Sequence, residues 1–361
     1  MSCARRSSRA WRRSAGPCVN DLAAQPLAGD PAARVLVAGA NGFTGALAAK
    51  IVWEHPRLQL VAATSRSDAG KRIDEIYPRY RVPVELTELD LDRLDGIDAA
   101  IVAYPHGAAA PTVATLRAAG VLVVDLSADF RLRDLATYER WYGEHGAPAL
   151  FGTGVYGLTE MYREQLREAT LVATPGCYPT ASVLGLAPLA EKGLVTDVSI
   201  AAMQGTSGYG RSSDDLVHFS SMTENAFPYK TEGHRHRPEI EQELEALGSP
   251  ATVAFVPHLL PLDQGELATC FATLAEPTSK EAVEALYRDR YADEPFVHVL
   301  DGPPNLRALR DTNECHVYVT VEEHGKVTAF SAIDNIWKGA SSQGVQNLNL
   351  MLGLDETEGL L

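Results

Sequence analysis

The sequence has few cysteines and no cysteine pair. Its five (Cys3, Cys18, Cys177, Cys270 and Cys315) are odd in number, widely spaced and never in a C-x-x-C arrangement. That excludes a disulfide framework and a cysteine zinc site, and it fits a reducing compartment. No apolar run reaches the roughly 18 residues of a membrane span, so no membrane partner is expected. Basic residues are outnumbered, 32 Lys and Arg against 47 Asp and Glu, for a formal net charge of -15. A nucleic-acid partner is excluded with them, because a phosphate backbone demands a basic face. There is no internal repeat and no low-complexity tract. What is there, 45 % hydrophobic and 22 % charged, is the composition of a soluble globular protein, and 361 residues suffice for two domains sharing a cleft.

Residues 1–20 stand apart, with Arg5, Arg6, Arg9, Arg12 and Arg13, several serines and no acid. They read as a disordered tail, an upstream start, or an organellar transit peptide. Residues 1–30 are left out of the expected fold, and the cytoplasm is the expected location unless the segment directs import.

The ordered chain begins at Ala33–Ala38, a short apolar run ending at a glycine, as a buried parallel strand does. A helical pattern follows with Phe43, Leu47 and Ile51 on one face, then a second apolar run, Leu58–Thr64, at the spacing of a strand–helix–strand unit. Two further runs, 98–104 and 121–127, flank an alanine-rich helix at 109–119. Strands alternating with helices imply an α/β, Rossmann-type doubly wound parallel sheet over residues 31–176. After Cys177 the pattern changes. A glycine-rich loop (205–210), a His- and Arg-rich segment (218–238), a helix near 238–247 and alternating strands such as Cys315–Val321 imply an α+β domain with an antiparallel or mixed sheet over 177–339. Val345, Leu348 and Leu352 mark a last helix, 340–352, that returns to the first domain.

Gly39-x-x-Gly42-x-x-Gly45 sits between the first strand and the first helix, where bare backbone approaches a pyrophosphate and helix N–H groups point at it. The end of the second strand reads Thr64-Ser-Arg-Ser67 with Lys71 nearby, groups that suit a 2′-phosphate better than the acid an NAD site presents, so NADP(H) is the expected cofactor. Cys177 lies in Ala173-Thr-Pro-Gly-Cys-Tyr-Pro-Thr180. The flanking Gly176 and Pro179 read as a turn entering a helix, which puts the thiol at a helix N-terminus that lowers its pKa and offers N–H donors to an oxyanion. His234 or His236 of Gly-His-Arg-His-Arg-Pro238 can carry its proton. No further His or Cys stands at ligand spacing, so no metal is expected. Arg131, Arg133 and Arg211 are candidates for gripping an anion.

In this order, "GANGFTG", "TSRSDAGK", "YPHG", "DLSADFRL", "TPGCYPT", "GHRHRPEIEQEL", "PHLLPLDQG" and "DNIWKGASSQGVQNLNLM" resemble the N-acetyl-γ-glutamyl-phosphate reductase family over residues 33–354. The resemblance implies a cysteine that attacks an acyl phosphate, with NADPH reducing the resulting thioester to a semialdehyde. Carried onto this sequence, the nucleophile is Cys177 and the acid or base is His234 or His236, with His234 preferred. Cofactor contacts fall on Gly39, Asn41, Gly42, Phe43, Thr44, Gly45, Ser65, Arg66 and Asn335. Arg131, Arg211 and Tyr229 hold the substrate. The resemblance also implies a homodimer or homotetramer built through the second domain. "QGTSGYGR" departs from the family's "SGVSGAGR" at Gln204 and Tyr209, and Tyr104 stands where leucine is usual. Rival readings are a reductase for carrier-bound aminoadipyl phosphate or aspartyl phosphate, and a non-catalytic cofactor-binding regulator.

Overall fold

Residues 33–38 are apolar at every position but one because both faces of the strand they form are buried, and that requirement organises the first half of the molecule. The structure is a computed structural model that describes residues 25, 27–211, 214–322 and 325–361; segment 1–20, with Cys3 and Cys18, lies outside the described residues. The first sheet comprises β1 (Ala33–Ala38), β2 (Leu58–Thr64), β3 (Ala99–Val102), β4 (Leu122–Asp125), β5 (Val155–Tyr156) and β6 (Leu171–Ala173). It is parallel throughout, in the order β2-β1-β3-β4-β6-β5.

The helices of eight residues or more are α1 (Phe43–Glu54), α2 (Ala110–Ala118), α3 (Leu135–Tyr142), α4 (Thr159–Glu168), α5 (Cys177–Ala190), α6 (Arg237–Ala246), α7 (Lys280–Tyr291) and α8 (Ser342–Met351). Alternate residues of β1 enter different cores. Val35 and Val37 pack with Leu47 and Ile51 of α1 and with Val345 and Leu348 of α8, whereas Leu36 and Ala38 pack with Val113 and Leu116 of α2. Helices thus cover both faces, the doubly wound arrangement expected of this pattern.

The second sheet comprises β7 (Val195–Gln204), β8 (Phe227–Pro228), β9 (Thr252–Leu259), β10 (Glu266–Leu274), β11 (Val297–Val299), β12 (Cys315–Val321) and β13 (Lys326–Ile333). It is mixed, in the order β11-β12-β13-β10-β7-β9-β8. Only one face carries a core. Ala268, Cys270 and Ala272 of β10 and Val317 and Val319 of β12 are buried, while Phe271 is 47 % exposed on the other face. The period-2 pattern of β12 reflects this one-sided burial.

Helix α5 joins the two halves. It starts three residues beyond β6, packs against β10, β13 and α6, and is buried from Tyr178 to Ala190. Its N-terminus therefore opens where the first sheet ends, and Cys177 is its first residue. The final helix begins at Ser342, not 340, because Trp337–Ser341 form a π turn, with bonds such as Gly339 N–H to Asp334 O and Ser341 N–H to Ile336 O.

Candidate active site

Cys177 is half-buried at the first position of α5. The residue before it, Gly176, is extended and has no side chain to cap the helix; its own N–H goes to Glu239, the Tyr178 N–H bonds the sulfur, Pro179 has none, and the Cys177 N–H points out of the helix end. Pro179 sits within the first turn, where its missing N–H costs nothing. A side chain at Gly339, in the π turn, would place its β-carbon 2.8 Å from Cys177 Cβ, so this turn walls the thiol closely.

The sulfur accepts a hydrogen bond from Gln204 Nε2 at 3.0 Å, and the same nitrogen is 3.0 Å from Glu266 Oε2. The Glu266 carboxyl is also a hydrogen-bond partner of the thiol. Burial, and then Glu266, push the Cys177 pKa well above its ordinary value, outweighing the Tyr178 backbone N–H and Gln204. The lowered pKa expected from the helix end alone is thus corrected: desolvation and an acidic neighbour exceed the pull of a few N–H groups. Glu266 itself is fully buried, and burial pushes its pKa up to about 8.

His234 and His236 are both buried, with ring centroids 4.8 Å apart. His234 Nδ1 accepts the His236 backbone N–H at 3.1 Å, which puts the proton of the neutral His234 ring on Nε2. His236 Nδ1 has no partner, and its Nε2 lies against Gly176. Neither ring hydrogen-bonds the thiol. Burial and then Lys230 bring the His234 pKa down to about 3, and burial followed by neighbouring cations drives His236 well below its usual value. Tyr178 and Tyr229 complete the wall, hydroxyl to hydroxyl at 3.1 Å, with both rings edge-on to His234.

Two further residues, not named individually from the sequence, border this site. Glu239 in the first turn of α6 accepts Gly176 N–H at 2.9 Å and the Tyr156 hydroxyl at 2.8 Å. His106, in the "YPHG" segment, has an unpartnered Nδ1 and feels the charges of Arg131, Arg235 and Lys230. Lys230 and Arg235 also act on His234, so His106 and the histidine pair share a cationic surrounding that favours an anion.

On the other side, Gly39 adopts φ +86, and a β-carbon at Gly45 would stand 2.1 Å from Gly39 O. The turn closes only with glycine there, and α1 follows Gly42 without a side-chain cap or an acid in its first turn. Phe43, Thr44 and Gly45 therefore present free backbone N–H groups, which fits a pyrophosphate. Asn41 donates to Ser67 Oγ at 2.9 Å and Asp68 Oδ2 at 3.1 Å, and Ser65 Oγ accepts Asp68 N–H at 3.1 Å. Arg66 is exposed at the end of β2. Asp68, an acid that nothing in its own segment marks out, is held well below the usual carboxylate range by Lys71, Asn41 and Arg211.

Several expected contacts fall elsewhere. Arg131 is buried beneath the site: Nε donates to Thr174 O at 2.7 Å, Nη2 to Leu126 O at 2.9 Å, and Nη1 faces Glu239 at 3.6 Å. Two of its nitrogens tie strand ends together, because buried backbone carbonyls need donors, while Nη1 makes no hydrogen bond. Arg211 turns to the cofactor loop, with Nη1 at 2.9 Å from Asp68 Oδ2 and 3.2 Å from Asn41 O. The Asn335 side chain is spent on Gly265 N–H at 2.7 Å and Ser207 Oγ at 3.0 Å. Arg133 pairs with Glu243 at 2.9 Å and lies over Tyr162. Among the described residues no cluster of three or more His, Cys, Asp and Glu could hold a metal ion, and no helix is long and apolar enough to cross a membrane.

Residues 34–169 match the family model described as the semialdehyde dehydrogenase NAD binding domain, and residues 177–335 match the semialdehyde dehydrogenase dimerisation domain. The chain is 45 % identical over 334 residues to the N-acetyl-gamma-glutamyl-phosphate reductase of Moorella thermoacetica, covering 90 % of this chain and 96 % of that one. It is 44 % identical over 334 residues to the protein of the same name from Halorhodospira halophila, again covering 90 % and 96 %. Among solved structures, aspartate semialdehyde dehydrogenase II of Vibrio cholerae superposes with a TM-score of 0.68 at 17 % identity, covering 89 % of this chain and 98 % of that one. The Candida albicans aspartate semialdehyde dehydrogenase with NADP gives 0.67 at 16 % identity, covering 88 % and 98 %. These likenesses carry the fold.

Proposed function

The chain belongs to the N-acetyl-γ-glutamyl-phosphate reductase family, and we propose from that premise that it reduces N-acetyl-γ-glutamyl phosphate to N-acetylglutamate 5-semialdehyde, releasing phosphate, in arginine biosynthesis. It is an oxidoreductase with a nicotinamide cofactor. NADP(H) is the proposed form, supported by Arg66 standing exposed beside Ser65 and Ser67 at the end of β2. Phe43, Thr44 and Gly45 would hold the pyrophosphate through free N–H groups, with Gly39, Asn41 and Gly42 shaping the turn that lets it approach. When bound, the nicotinamide supplies the hydride.

The observation that carries the reading is the place of Cys177: an uncapped helix N-terminus at the junction of the two sheets, faced by a histidine pair and a group of cations. The sulfur attacks the acyl carbon and phosphate leaves. The Cys177 N–H at the head of α5 receives the charge on the carbonyl oxygen. His106, Lys230, Arg235 and the histidine pair receive the dianionic phosphate, whose charge raises the histidine pKa values from their depressed state so that an imidazole can serve as acid. A thioester stays electrophilic enough for reduction, which a serine ester would not.

The second-half dimerisation domain makes the protein an oligomer-forming one. We assign the contact to the outer face of the second sheet, where Phe271 is exposed and Tyr318 stacks on Phe330 at 5.9 Å, and we place the enzyme in the cytoplasm. The deciding experiment is the reverse reaction: phosphate-dependent reduction of NADP by N-acetylglutamate semialdehyde. Much faster turnover of aminoadipate or aspartate semialdehyde would overturn the substrate assignment.

A further inference from the structure

Glu266 and Gln204 are directly opposite residues of the antiparallel pair β10 and β7, so their side chains leave the sheet together on one face. Both are buried, at 0 % and 2 % exposure. Gln204 Nε2 donates towards Cys177 Sγ and Glu266 Oε2, 3.0 Å from each, and bridges sulfur to carboxyl. The start of β10 is itself held in place, because Asn335 Oδ1 accepts the Gly265 N–H at 2.7 Å. Glu266 Oε1 has no partner, and no cation pairs with this carboxyl among the described residues. A buried carboxylate without a counter-charge takes up a proton readily, and the acidic proton beside it is the thiol's, across the Gln204 bridge.

We propose that Glu266 is the proton partner of Cys177: its carboxylate accepts the thiol proton as the sulfur attacks, and Gln204 holds the two groups in register. The proposal rests on Cys177 being the nucleophile. In acylation the Sγ–C bond forms and the C–O bond to phosphate breaks. Phosphate departs with the bonding electron pair and takes a proton from an imidazole that solvent had protonated as the phosphate bound, and the S–H proton passes to a Glu266 oxygen. The histidine pair, which makes no hydrogen bond to the thiol, is left to the phosphate and carbonyl oxygens. The bland alternative is a carboxyl that only orients Gln204.

Besides Cys177, the ionisable groups facing Glu266 are Asp334, beyond β13, Tyr178, on α5, and Tyr229, near β8. Burial raises the pKa of each of them, the two tyrosines to well outside the neutral range. The test is the rate of iodoacetamide alkylation at Cys177, read by mass spectrometry on the full chain without substrate or cofactor, across pH 6 to 10. Two coupled sites sharing one proton give a thiolate fraction that climbs and then levels off as the pair loses its first proton, near pH 8 for Glu266. In Glu266→Gln the levelling should vanish and the rate should go on climbing. In the reverse reaction the same variant should lose on the order of 100-fold in kcat while its cofactor affinity is kept.

A wild-type profile without a break near pH 8 overturns the proposal, and so does a break that survives in Glu266→Gln. Should that variant fail to fold, the wild-type profile still decides, and Glu266→Asp should shift the break without removing it. None of these outcomes depends on which acyl phosphate is the substrate. Full turnover by Cys177→Ser would instead remove the nucleophile reading itself.

Discussion

Gly176 and His236 are in contact across the domain junction: a β-carbon at Gly176 would stand 2.6 Å from His236 Nε2. The residue before the thiol must therefore be glycine for the imidazole to lie over the α5 N-terminus. Gly176→Ala should push the ring aside, destabilise the protein by about 1–3 kcal/mol and lower kcat far more than it raises KM. Thermal melts together with steady-state kinetics check this; unchanged kcat would show that His236 has no part in the chemistry.

Cys177→Ser should keep the fold and the nicotinamide affinity while losing turnover on the order of a thousandfold or more. Cofactor fluorescence titration and the reverse assay are the readouts. Cys270 and Cys315 are fully buried whereas Cys177 is partly accessible, so they should alkylate more slowly than Cys177 in the native protein. Preferential labelling of either would argue against the assignment.

Gly45→Ala meets backbone rather than a movable side chain, with its β-carbon 2.1 Å from Gly39 O. The turn must open, so cofactor affinity should fall at least about tenfold and stability by about 2 kcal/mol or more. Calorimetric titration with the cofactor measures the first and denaturant melts the second.

Arg66→Ala tests the form of the cofactor. If Arg66 pairs with a 2′-phosphate, KM for NADPH should rise roughly tenfold or more while KM for NADH stays put. Equal effects on the two would remove the reason for preferring NADP(H).

Glu266→Gln also makes a prediction about stability. A carboxyl whose folded pKa is raised to about 8 contributes stability that is fully present below its unfolded value and lost as pH rises through that point. Glutamine does not titrate and escapes this loss. The melting temperature of Glu266→Gln relative to wild type should therefore rise between pH 5 and pH 9, by roughly several degrees. A constant difference across that range would show that the carboxyl is ionised in both states.

Much of the scaffold was legible because it rests on local pattern. The runs at Ala33–Ala38, Leu58–Thr64 and Cys315–Val321 are strands with those bounds, since two-sided burial and one-sided burial leave different marks on a sequence. The turn into α5 was legible from Gly176 and Pro179 for a similar reason. The arginines were not. Arg131, Arg133 and Arg211 looked alike as anion binders, and each found a different protein partner: carbonyls at strand ends, Glu243 and Asp68. A guanidinium's role depends on which acid or carbonyl the fold brings near, and that carries no local signature.

By itself the sequence determined the two-part α/β architecture, the glycine turn before α1 and the thiol at the head of a helix, because each follows from periodicity or from backbone demands written into adjacent residues. Only the tertiary structure decided what surrounds the thiol. Gln204, Glu266 and His236 come from three separate segments, and the strand pairing that sets Gln204 opposite Glu266 has no trace in either neighbourhood. The burial that raises the thiol's pKa is a property of the packed whole, and so it outweighs the helix end that the local sequence announces.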